Sequence, residues 1–116
     1  MSTTLVQPTE AVITHHLQAL SSKAGIDEVL DDYTESSVIL TQNGPVRGLS
    51  EVRTLFEAFI AALTPEVLGN FQIMRLDIEG EVAYLLFSAK PLASLGTDTF
   101  IVRDGKIEFQ TFTVLG

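Results

Sequence analysis

Ile26-Asp27-Glu28-Val29-Leu30-Asp31-Asp32-Tyr33-Thr34-Glu35-Ser36-Ser37-Val38-Ile39-Leu40 is the stretch on which the fold turns. Ile26, Val29, Leu30 and Tyr33 recur at helical spacing and share one apolar face of a short helix. Thr34-Glu35 turns the chain, and Ser37 to Thr41 has the β-branched content of a strand. Asp27, Glu28, Asp31, Asp32 and Glu35 read as the solvated acidic face of that helix. A helix that runs through a tyrosine into a strand calls for a sheet on which the apolar face can pack.

Toward the N-terminus, Ser21-Ser22-Lys23-Ala24-Gly25 separates this helix from an earlier one. Pro8-Thr9 offers a helix start with Thr9 as N-cap, and the helix runs to about Leu20. Its apolar stripe is Val12, Ile13, His16, Leu17 and Leu20, with His16 in the middle. His15 is turned about 100° around the axis, so the two imidazoles cannot converge on one metal ion. Residues 1–7 read as a flexible arm.

Toward the C-terminus, Gln42-Asn43-Gly44-Pro45 reads as a turn, Arg47 as ordering the turn before a long helix, and Ser50 as that helix's N-cap. Val52, Leu55, Phe56, Phe59, Ile60 and Leu63 mark its apolar face, and Thr64-Pro65 ends it. Strands are expected over 71–79, 82–89, 97–103 and 107–114, joined by Glu79-Gly80, Lys90-Pro91-Leu92 and an Asp104-Gly105 hairpin as an antiparallel meander. Alternation sets Asp98, Phe100 and Val102 on one face of the third of these strands. In the last strand it separates Gln110, Phe112 and Val114 from Phe109, Thr111 and Thr113. The fold class is therefore α+β: a curved, mostly antiparallel sheet wrapped around N-terminal helices, a cone-shaped half-barrel with a central pocket.

The chain of 116 residues is read as a single domain, 1–116. Apolar residues make up 46% of it, more than one small core needs, and the last strand is apolar on both faces. A homodimer through the outer face of the sheet is expected. Seven Lys and Arg against fifteen Asp and Glu give a net charge of -8, which repels phosphate backbones and anionic lipid. Nucleic acid and membrane are thus excluded as expected partners. With no cysteine there are no disulfides or thiol nucleophiles. No apolar run is long enough to span a bilayer and the first residues lack a signal pattern, so a cytoplasmic location is expected. There is no phosphate loop, nucleophile elbow or metal-spaced His and carboxylate pattern, and no cofactor is implied.

The order of these elements, with Asp31-x-Tyr33-x-x-x-Ser37-Val38 and Arg47-Gly48-x-x-x-Val52-x-x-Leu55-Phe56, resembles the SnoaL-like branch of the nuclear transport factor 2-like superfamily over about residues 9 to 114. The resemblance implies a deep pocket between sheet and helices. Its members include isomerases, polyketide cyclases, dehydratases, epoxide hydrolases and noncatalytic adaptors, so the fold does not choose among them. Set beside the ketosteroid isomerases of this superfamily, Asp98 with Phe100 looks like the oxyanion-hole acid and the pocket phenylalanine after it. His16 falls about where those enzymes have an oxyanion-hole tyrosine, Tyr33 resembles a supporting tyrosine, and Phe56 sits where a further tyrosine would stand. The general-base aspartate is missing: Ile39, Leu40 and Thr41 occupy its strand and none takes a proton near neutral pH.

The resemblance and the polar residues on apolar faces together give two expectations. One is a small-molecule-binding protein with cofactor-independent isomerase, cyclase or dehydratase chemistry on a small apolar carbonyl compound. Asp98 and His16 would be its catalytic pair, and Tyr33, Phe56, Phe59, Phe100, Gln110 and Phe112 its ligand-binding set. The other is a noncatalytic ligand-binding or dimerisation module of the same fold, its pocket filled by its own phenylalanines.

Overall fold

The computed structural model describes residues 8–116, so the expected N-terminal arm lies outside the described residues. Four helices, α1 (Pro8–Ser21), α2 (Ile26–Leu30), α3 (Gly48–Ala62) and α4 (Pro65–Gly69), accompany six strands. The strands are β1 (Val38–Thr41), β2 (Gly44–Arg47), β3 (Phe71–Glu79), β4 (Val82–Ala89), β5 (Ala93–Arg103) and β6 (Lys106–Leu115). They form one open sheet in the order β2-β1-β6-β5-β4-β3, antiparallel except where β1 runs parallel to β6. The expected α+β architecture is the one observed.

The core lies between the helices and the concave face of the sheet. α1 contributes Val12, Ile13 and His16, α2 Val29, and α3 Val52 and Phe56; beneath them are Ile39, Leu85, Phe87, Phe100, Val102 and Ile107. Strict alternation explains Ala83, Leu85, Phe87 and Ala89 on β4, and Gly96, Asp98, Phe100 and Val102 on β5. On β6 a bulge intervenes: Ile101 faces Phe109 while the next residue, Val102, faces Ile107. The extra residue lets Ile107 and Gln110, three apart, both turn inward, and such bulges bend a sheet around its contents.

Local chemistry explains where several boundaries depart from the periodicity. Helix α3 starts two residues before the expected cap Ser50, with Arg47 at the N-cap position. The exposed amides there are met by carboxylates: Arg47 N–H donates to Glu51 Oε1 at 2.8 Å and Leu49 N–H to Glu35 Oε1 at 3.3 Å. Thr64, expected only to end α3, also caps α4, its hydroxyl accepting from the Val67 N–H. Thr9 instead donates its hydroxyl hydrogen to the Gly80 carbonyl, pinning α1 to the β3–β4 turn. Asp104 and Gly105 both have positive φ, 52° and 76°, as the tight hairpin between β5 and β6 requires.

The acidic face is not wholly solvated. Asp32 is buried, and its Oδ2 lies 2.7 Å from His15 Nδ1, while His15 Nε2 lies 2.6 Å from Glu28 Oε2. Glu28 first and Asp32 second raise the affinity of His15 for its proton, and the pair ties α1 to the end of α2. Burial pushes the Asp32 carboxyl up, with His15 opposing it.

Gly96 faces the ring of Phe87 across the β4–β5 ladder. A Cβ there would lie 2.2 Å from Phe87 Cζ, inside any tolerable contact, and Phe87 is itself packed against Phe71. Gly96→Ala is expected to destabilise the fold by about 1–3 kcal/mol. Chemical denaturation measures the loss, and Gly96→Ala with Phe87→Leu should recover part of it.

Candidate functional site

Between the C-terminal half of α1, the C-terminal half of α3, α4 and the concave sheet lies an apolar hollow of about 50 Å³. That volume holds a few waters or a very small ligand. Its buried wall includes His16, Phe56, Leu85, Phe87, Asp98 and Gln110, and half-buried Leu17, Phe59, Phe71 and Phe112 stand at its open side. Of the residues expected from sequence, His16, Phe56, Phe59, Asp98, Gln110 and Phe112 line this space together. Tyr33 and Phe100 stand one layer behind: Tyr33 reaches Gln110, and Phe100 packs edge-on to His16 with ring centroids 5.5 Å apart.

Asp98 projects inward from β5 because the alternation that buries Phe100 and Val102 buries it too. Gln110 sits diagonally across the β5–β6 ladder, since Asp98 faces Phe112 and Phe100 faces Gln110. The Gln110 amide Nε2–H donates to Asp98 Oδ1 at 3.0 Å, and the Tyr33 hydroxyl donates to Gln110 Oε1 at 2.5 Å. Tyr33 is delivered from the α2–β1 junction, where Asp32 O accepts from Ile107 N–H and the Ser37 hydroxyl donates to Ile107 O. Asp98 Oδ2 makes no hydrogen bond among the described residues and is left to the hollow.

Only 5% of Asp98 is exposed. Burial raises its carboxyl to about 7, and the Gln110 hydrogen bond opposes that rise. His16, 3% exposed, is enclosed by the rings of Tyr33, Phe56 and Phe100. Burial, with the repulsion of His15, lowers it to about 4, so it is a neutral imidazole at neutral pH. Its Nδ1 is the one buried side-chain polar atom without a partner among the described residues. The hollow thus offers one carboxyl that passes between neutral and anionic forms near neutral pH and one neutral imidazole, set in an apolar wall. No group of three or more His, Asp or Glu among the described residues could hold a metal ion.

The sequence did not single out Leu85, Phe87 or Phe71. Strand β4 alternates apolar with apolar, Val82, Tyr84 and Leu86 against Ala83, Leu85 and Phe87, and only its register with β5 decides which set is inside.

No family model and no curated protein sequence matches the chain. Solved structures do match in fold. A SnoaL-like protein of unknown function from Burkholderia thailandensis E264 superposes with a TM-score of 0.75 at 12% identity, over 97% of this chain and 100% of that one. An NTF2-like protein of unknown function from Burkholderia xenovorans LB400 gives 0.70 at 18% identity, over 94% and 85%. An LEH-like epoxide hydrolase of Mycobacterium tuberculosis gives 0.64 at 19% identity, over 93% and 83%. The fold is therefore the NTF2-like, SnoaL-like α+β cone. At these identities the likeness defines architecture and leaves activity to the site.

The two buried titrations oppose each other. Between pH about 4 and 7 the native state keeps an Asp98 proton that the unfolded chain releases, so this carboxyl lowers stability as pH rises. Between pH about 4 and 6.5 the unfolded chain protonates His16 while the native state does not, so stability falls as pH drops. Asp98→Asn keeps the acceptor for Gln110 and removes only the first effect. It should stabilise the protein by up to about 4 kcal/mol near pH about 8, with the gain vanishing near pH about 4, as urea denaturation at the two pH values measures.

Proposed function

We propose that the chain binds a small, uncharged apolar carbonyl compound and moves a proton on it, as a cofactor-independent isomerase, cyclase or dehydratase. The observation that carries this reading is Asp98: a carboxyl with a proton affinity near neutrality and one oxygen free toward an apolar hollow. An acid or base is most effective when its pKa lies near the working pH. In its protonated form Asp98 would donate to a carbonyl oxygen on which negative charge develops; in its ionised form it would take a proton from an acidic C–H. Neutral His16 supplies a second polar contact, and Phe56, Phe59 and Phe112 supply contact area. Neither a Lys nor an Arg lines the space, which favours an uncharged ligand over an anion.

The size of the hollow supports a second reading, a noncatalytic module whose own phenylalanines fill the cone. Phe59 and Phe112 meet edge to face at 5.3 Å on the open side, and any larger ligand must displace them. A panel of small ketones and enolisable aldehydes, followed by chemical shifts at His16 and Asp98 and by exchange of the ligand's α-hydrogens in deuterated water, separates the two. Exchange that Asp98→Asn slows by about 10²-fold or more supports the proton-transfer role. Binding without exchange, or no binding at all, supports the module.

For the assembly we propose a homodimer through the convex face of the sheet. Leu40, Val82, Tyr84 and Phe109 stand exposed on that face, and Ile101 lies between Val82 and Phe109 in the ladder. Such a patch matches the self-complementary surface of a two-fold interface. Sedimentation should give twice the chain mass of 12.6 kDa, and Phe109→Glu should shift the protein toward 12.6 kDa with its circular dichroism unchanged. A monomeric wild type at high concentration would remove this assignment.

A further inference from the structure

We infer that Tyr33 is a positioning residue for Asp98: by fixing the orientation of the Gln110 amide, it confines the exchangeable carboxyl proton to Oδ2, the oxygen that faces the hollow.

A buried glutamine amide can turn through 180° and exchange its donor and acceptor ends with little change in shape. In one orientation Nε2–H donates to Asp98 Oδ1, which stabilises the carboxylate and leaves only Oδ2 to be protonated. In the other, Oε1 faces Asp98, and the carboxyl can donate its proton from Oδ1 into the protein wall, away from any ligand. The choice between them is made at the far end of the amide. The Tyr33 hydroxyl is buried and must place its hydrogen on some acceptor. Among the described residues its only partner is Gln110 Oε1. The neighbouring imidazole of His16 is met edge-on with centroids 5.9 Å apart and makes no hydrogen bond to the hydroxyl. Burial, and the nearby Asp98 and Asp32 carboxyls, raise the phenol far above its ordinary value, so it remains a donor throughout the range in which Asp98 titrates. With Oε1 held by Tyr33, Nε2 must face Asp98, as it does at 3.0 Å.

Tyr33 does not touch the hollow, and its effect passes entirely through Gln110. Asp98 is the carboxyl of the proposed reaction, so this role rests on that reading for its use in catalysis. Its test needs no turnover. The carboxyl ¹³C resonance of Asp98 is followed through a pH titration in the wild type, Tyr33→Phe, Gln110→Leu and the double variant. Tyr33→Phe frees the amide to turn and accept from the protonated acid, and should raise the Asp98 midpoint by about one pH unit or more. Gln110→Leu removes the stabilising donor and should raise it too, and Tyr33→Phe added to Gln110→Leu should change nothing further. In the wild type the Gln110 side-chain amide protons should shift with the same midpoint as Asp98, an observation that survives even if Tyr33→Phe fails to fold.

An Asp98 midpoint unchanged by Tyr33→Phe overturns the role. So does an equal shift in the Gln110→Leu background, or a Gln110 amide that does not follow the Asp98 titration. If the midpoints move as expected but no ligand is turned over, the positioning stands and the enzymatic reading fails.

Discussion

A carboxyl buried in an apolar sheet face has few ways to exist, and Asp98 uses one that organises its surroundings. The alternation of β5 forces its side chain inward with Phe100 and Val102. Desolvation of a charge costs several kcal/mol unless a partner or a proton offsets it. Gln110 supplies one hydrogen bond, Tyr33 fixes Gln110, and the remaining oxygen is left to the hollow. The three residues come from three separate parts of the chain, so the hydrogen-bond chain also records that the α2–β1 junction, β5 and β6 are correctly assembled.

That assembly depends on the curvature of the sheet. A flat sheet would bring α1 and α3 down on it without space, whereas the bulge on β6 turns Ile107 and Gln110 inward together and lets the sheet wrap. The helices pack on the sheet through Val12, Ile13, Val29 and Val52, while Phe59, Phe71 and Phe112 stand half-buried along the hollow. His16 marks the boundary between packed core and hollow. Its neutral form is a consequence of the same burial that raises Asp98, so one apolar environment shifts an acid and a base toward their uncharged states.

The two histidines show how sharply one residue of helical phase divides roles. His16 enters the aromatic core and is left with an unpartnered Nδ1; His15, about 100° around the axis, leaves the core and bridges Asp32 and Glu28. The first is a neutral imidazole held among the rings of Tyr33, Phe56 and Phe100. The second is a tie between α1 and α2 whose proton is held by two carboxylates.

The sequence by itself determined the helical faces of α1 and α3, the meander of β3 to β6, the Asp104-Gly105 hairpin and the face that Asp98 shares with Phe100 and Val102. Each of these follows from local periodicity or turn chemistry, which the chain carries in adjacent residues. The family resemblance grouped His16, Phe56, Phe59, Gln110 and Phe112 with Asp98, and the structure brings them to one hollow. Only the tertiary structure decided the rest. Helix α4 and strand β2 are too short for a period to show, and α3 begins where carboxylates from Glu35 and Glu51 meet its amides rather than at Ser50. Strand β4 is apolar on both faces, so the choice of Leu85 and Phe87 as lining residues was made by its register. The link from Tyr33 through Gln110 to Asp98 joins positions 77 and 12 residues apart, a distance no local pattern spans. Local sequence specifies which face a side chain occupies; which side chain it meets there is fixed by strand register and sheet curvature, which are properties of the assembled fold.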